Sequence, residues 1–153
     1  MKIDAKVQSI SKLKDYFFLV PDYQREYVWK PDDEVEQFLI DIENEYSPDA
    51  KEQRNYFLGS IIIVNNDRCF DVVDGQQRLT TIMLSLCVFR DLLKKETLNS
   101  AQKNYLQIIE NLLYNFDIES GETRVRLELQ YEESHDYLTA LIPVSYTHLR
   151  AHE

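Results

Sequence analysis

The chain has 153 residues, 44% of them hydrophobic and 12% aromatic, which is enough apolar material for one ordinary core and too much for a disordered chain. The formal net charge of −10 disfavours a general affinity for nucleic-acid backbone or anionic lipid, yet nine acids and two bases fall between residues 31 and 55, so a local basic site elsewhere stays open. Cys69 and Cys87 lack CxxC spacing and exclude a disulfide framework, and no apolar run reaches the roughly 20 residues needed to span a bilayer, so a reduced, cytoplasmic chain with no membrane partner is expected.

In chain order, "QSISKLKDY" suggests a helical turn capped by Ser9 or Ser11, followed by an extended FFLV run that Pro21 ends. Residues 21–31 read as irregular. "PDDEVEQFLIDIENEY" then places Val35, Phe38, Leu39, Ile42 and Tyr46 on one stripe, with acids in the first turn, and predicts an amphipathic helix. "YFLGSIIIVNN" and "CFDVVDG" are β-branched runs joined by Asn65, Asn66 and Asp67, which predicts a hairpin. "RLTTIMLSLCVFRDLLKKE" is apolar on most sides and predicts a centrally buried helix ending at Lys94 and Lys95. "AQKNYLQIIENLLYNF" predicts a second helix, with Tyr105, Ile108, Ile109, Leu112, Leu113 and Phe116 on one stripe.

Gly121 breaks that pattern, and "RVRLELQ" alternates Val125, Leu127 and Leu129 with polar partners, as a half-exposed strand does. There Arg124 and Arg126 alternate on one strand and could touch phosphate, but a solvated strand face is the favoured expectation. "SHDYLTALI" suggests a short final helix. The expected fold class is α+β, a small mixed sheet with helices packed on it. Residues 143–153, "PVSYTHLRAHE", break the periodicity and resemble a translated sequencing adapter, so the organisation expected is a domain over 1–142, truncated at its C-terminal end, and a foreign tail over 143–153. His148 and His152 stand at i, i+4 in that tail, but the glutamate of HExxH is missing, and no metal ligands are assigned.

The stretch "FDVVDGQQRLTTIMLSL" passes from strand to helix through Asp74, Gly75, Gln76, Gln77 and Arg78, and two readings stay open. In one, Asp74 caps the helix and Gln77 reaches back to the cap amide, a capping box contributing about 1 kcal/mol. In the other, Gly75 clears space for a ligand, the amides of Gly75 to Arg78 face an anion, and Arg78 adds a planar fork suited to phosphate. A second cluster, "PDYQREYVW", brings Tyr23, Gln24 and Arg25 together as an aromatic, an amide and a guanidinium group able to engage a base, ribose or phosphate. Neither GxxxxGK[ST] nor GxGxxG occurs, which excludes P-loop and Rossmann sites at the motif level.

"VPDYQREYVWKPDDEVEQFLIDI", "YFLGSIIIV", "DVVDGQQRLTTIMLSL" and "RLELQYEESHDYLTALI", in that order and spacing, resemble the N-terminal domain of the GmrSD-type modification-dependent restriction proteins, the DGQQR-motif family related to ParB and sulfiredoxin. The resemblance covers residues 7–142. It implies a ParB/sulfiredoxin-like core and a role in defence against phage carrying modified DNA. It also implies a nucleoside triphosphate with Mg²⁺ bound by Tyr23, Gln24, Arg25, Gly75, Gln76, Gln77 and Arg78, with Asp74, Gln77 and Arg78 in catalytic positions. Asp71 is a weaker acid candidate, because strand alternation turns it away from Asp74. Family members usually continue into a helical region and an HNH-type nuclease domain, so DNA cleavage is not expected of these residues, and modified DNA would be met through a missing C-terminal region or a partner nuclease. The competing expectation is a nucleotide-gated DNA-binding or sensor module without significant turnover.

Overall fold

The computed structural model describes residues 2–46, 55–116, 118–131, 138 and 140–142. The tail and most of the expected final helix lie outside them. Four strands form one mixed sheet: β1 (Phe18–Val20), β2 (Ile62–Asn66), β3 (Cys69–Asp74) and β6 (Leu127–Leu129), in the order β2-β3-β1-β6. β1 pairs in parallel with both β3 and β6, in register Phe18↔Phe70 and Phe18↔Leu127, while β2 and β3 form the expected antiparallel hairpin. A second ribbon pairs β4 (Tyr114–Phe116) with β5 (Thr123–Val125) around the left-handed Gly121. The α+β class with a small mixed sheet is therefore what the chain adopts.

Alternation sets the core. Phe18 and Val20, Val72, and Leu127 and Leu129 meet Leu79, Met83 and Cys87 of α2 (Gln76–Lys94) and Leu113 of α3 (Ser100–Leu113) in one apolar cluster that also takes in Leu138, Leu141 and Ile142. A 3₁₀ turn over Ile10–Asp15 replaces the expected helical turn; Ser9 holds the N-cap position, but its side chain makes no capping bond.

Three expectations are corrected. α1 (Glu36–Glu45), entered through a π turn at Pro31–Val35, buries none of its residues, and Leu39, Ile42 and Tyr46 stay exposed. On its stripe Phe38 faces the indole of Trp29, with ring centroids 6.0 Å apart. α2 is buried on all sides only from Leu79 to Met83; in its second half Val88, Phe89 and Leu92 are about half exposed. The strand read from "RVRLELQ" breaks at Arg126, which is 4% exposed instead of solvated. Its guanidinium donates to the carbonyls of Tyr16 at 3.0 Å and Asn111 at 2.7 Å, joining β5–β6 to α3. A charged group takes such a buried place because main-chain oxygens replace the water that it loses.

Candidate functional site

Because β1, β3 and β6 run parallel, their carboxyl ends lie together, and the segment following each strand enters one region of the molecule. After β1 comes the loop carrying Tyr23, Gln24 and Arg25; after β3 come Gly75 and α2; after β6 come Gln130 and Tyr131. Crevices at the carboxyl ends of parallel strands are where open α/β sheets receive ligands.

Gln77 joins the first two segments. Its Nε2 donates to the Glu26 carbonyl at 2.8 Å, and its Oε1 accepts from the Val28 amide at 2.9 Å, so both ends of the side chain clamp the loop to the helix start. One turn on, the Thr81 hydroxyl donates to the Gln77 carbonyl and lies 2.9 Å from the Tyr27 hydroxyl. From the third segment, the Tyr131 hydroxyl donates to the Arg25 carbonyl. Burial, and then the charge of Glu26, push that hydroxyl above its ordinary pKa, so it remains a donor. The loop is thus held through the backbone at Arg25, Glu26 and Val28 and through the Tyr27 hydroxyl, while the side chains of Tyr23 and Arg25 are exposed and that of Gln24 is half-buried.

The capping box expected at Asp74 and Gln77 does not form. Gly75 occupies the N-cap with φ +85°, no side chain caps α2, and the helix's own bonding starts at the Leu79 amide, which donates to the Gly75 carbonyl. The amides of Gln76, Gln77 and Arg78 have no hydrogen-bond acceptor among the described residues. Asp74 closes β3 with an exposed side chain, whereas Asp71 accepts from Asn66 Nδ2 at 3.2 Å. A capping box does form downstream: Asn99 accepts from the Gln102 amide and its own amide donates to Gln102 Oε1. Asn99 is extended, as a cap requires, while the left-handed turn at Gly75 puts Asp74 out of capping position.

Two glycines shape the junction. A Cβ on Gly75 would lie 2.8 Å from the Ser60 carbonyl oxygen, so the space kept clear there is filled by the backbone entering β2. A Cβ on Gly59, at φ +118°, would fall 2.4 Å from the guanidinium carbon of Arg78, whose Nη1 donates to the Ser60 carbonyl at 3.0 Å. Arg78 is thereby held against the strand entry, half-buried, beside the uncapped amides. Gly59, Ser60, Tyr27, Thr81 and Tyr131 were missed in the sequence; only "LGS", a glycine just before a β-branched run, offered a signal.

Chemically, the junction offers free amides at a helix start, a fixed guanidinium, an exposed carboxylate and a loop presenting an aromatic ring and a second guanidinium. The fold and this junction define an α+β domain in which two motif-bearing segments meet at the carboxyl ends of parallel strands. Over residues 7–151 the chain matches the family described as GmrSD restriction endonuclease, N-terminal domain, and it belongs to that family, a domain of restriction systems. No curated protein matches it. Among the described residues, no helix is long and apolar enough to cross a membrane.

Proposed function

We propose that the junction binds a nucleoside triphosphate and hydrolyses it slowly, as the nucleotide module of a restriction system directed against phage with modified DNA. The observation that carries this reading is the uncapped start of α2 with Arg78 beside it, clamped through Gln77 to the loop that bears Tyr23 and Arg25. Phosphate oxygens accept from the Gln76–Arg78 amides, where the helix dipole favours negative charge. Arg78 and Arg25 offset the charge that develops on the transferred phosphoryl oxygens, and Tyr23 offers a face to the base. Asp74 orients the attacking water.

Mg²⁺, when bound, would neutralise phosphate charge; it commonly uses only one or two carboxylates and keeps several waters, which suits the exposed carboxylate of Asp74. Gln77, with both ends of its amide engaged, positions the loop and does not touch the reacting atoms. Modified DNA is sensed through a further C-terminal region or a partner nuclease.

The test is phosphate release from each of the four nucleoside triphosphates with Mg²⁺. Turnover in the parent, lowered roughly 100-fold in Arg78→Ala and in Asp74→Ala, supports hydrolysis. Saturable binding without turnover supports the nucleotide-gated sensor instead. A folded parent that binds none of the four overturns both.

A further inference from the structure

A cleft of about 450 Å³ opens on the sheet face turned away from the apolar core, and apart from Gln130, which follows β6, no residue described at the junction lines it. Val20, Leu127 and Leu129 face the core, Phe17, Leu19, Glu128 and Gln130 line the cleft, and Phe18, buried in the core, also reaches the cleft wall. The hairpin turn supplies Arg68, the start of β3 supplies Cys69, and β5 supplies Arg124. In a chain of net charge −10, the basic groups gathered here stand out. The guanidinium carbon of Arg124 lies 3.7 Å from the Phe17 ring centroid and that of the buried Arg126 lies 4.4 Å from it. Arg124 is fixed a second time where its Nη2 donates to the Arg68 carbonyl, which leaves its remaining donors free to face the cleft. The exposed Arg68 guanidinium makes no hydrogen bond or ion pair among the described residues.

We propose that this cleft is a second ligand site, for a phosphate group on a ligand of nucleotide size. Arg124 is the preorganised fork: stacking on Phe17 and a main-chain acceptor have already fixed its plane, so little conformational entropy is lost on binding. Arg68 closes over the oxyanion from the hairpin turn. Leu19 and Val125 give an apolar floor for a sugar or base, and Gln130 a polar edge. The volume falls within the range of small-molecule sites, roughly 300–1,000 Å³. The burial of Cys69, followed by the charge of Asp71, raises its thiol pKa, so the thiol itself stays neutral beside the acids Asp71 and Glu128. The ligand is a free nucleotide or one nucleotide of a DNA strand; both present the same phosphate chemistry, and the inference does not depend on the triphosphate reading of the junction.

The experiment titrates a nucleoside monophosphate, and separately a short single-stranded DNA, into the ¹⁵N-labelled full chain while following amide resonances. Saturable shifts at Cys69, Arg124 and Val125 are expected, in the parent and equally in Arg78→Ala, which removes a junction group only. Arg68→Ala breaks no contact seen in the fold and is expected to weaken binding about tenfold. Arg124→Lys, which keeps the charge but loses the fork, is expected to weaken it as well. DNA binding tighter than the monophosphate identifies a strand as the source, and equal affinity identifies the free nucleotide. Shifts confined to Gln76–Arg78, no saturable shift with either ligand, or affinity unchanged in Arg68→Ala would overturn the proposal.

Discussion

The two ends of α2 are secured by different chemistry. Near its start, hydrogen bonds from Gln77, Arg78, Thr81 and Tyr131 tie separate segments together, Gln77 and Arg78 being half-buried and Thr81 and Tyr131 buried. Further along, Met83 and Cys87 are sealed in the apolar cluster, and the fully buried Arg90 donates to the carbonyls of Leu141 and Ile142 where the chain's last described helical residues end. Each bond of the first kind contributes about 1 kcal/mol, whereas burying a large side chain contributes several times that. The apolar seal, which begins at Leu79, therefore carries most of the stability, and the hydrogen bonds around the helix start carry the alignment. Damage to the first unfolds the domain; damage to the second leaves it folded with its segments misplaced.

Truncation of the core should have the largest effect. Met83→Ala is expected to cost about 2–5 kcal/mol in urea unfolding, because the packed surroundings only partly collapse into the space vacated. A cost below 1 kcal/mol would mean that this stretch of α2 is no more essential than its start. Alkaline pH probes the same region more gently. Burial pushes the Cys87 thiol up to about 11 from 9.0, so the folded state resists its ionisation. This contribution is fully present below pH 9 and is lost as pH rises from 9 towards 11, a change of about 2–3 kcal/mol that Cys87→Ala should abolish. Identical pH–stability curves for parent and variant would refute it.

The smallest change in stability belongs to Gln77→Ala, about 1 kcal/mol, yet its loss of triphosphate affinity should exceed tenfold because the loop bearing Arg25 is released. Gln77→Glu sharpens the contrast: it still accepts from Val28 but cannot donate to the Glu26 carbonyl, so it should fall between the parent and alanine. If both variants bound as the parent does, the clamp would have no bearing on the site.

How far the sequence disclosed this arrangement depends on the range of each interaction. The hairpin, both long helices and the break at Gly121 rest on neighbours a few residues apart, and periodicity with turn chemistry was enough to find them. Asp74 to Gln77 looked like a capping box for the same local reason, but Ser60, fourteen residues earlier in the chain, decided the conformation by requiring a glycine at the helix start. Gln77 and Glu26 are 51 positions apart, and Tyr131 and Arg25 are 106 apart; no pattern within one segment announces such partners. Arg126 misled in the same way, because an alternating strand shows which residues share a side but not that carbonyls from two other elements will cover one of them. The stripe on α1 shows the converse: amphipathic spacing formed the helix without supplying a surface to bury it.

The central place of the three-residue β1 has a consequence for biogenesis. A ribosome delivers this strand early, yet one of its partners starts at Cys69 and the other at Leu127. Until the latter has been synthesised, a growing polypeptide carries a bare strand edge that can pair with a neighbouring molecule. Tyr131 follows two residues after β6, so the last tether on the Arg25 loop is made only when the sheet is whole.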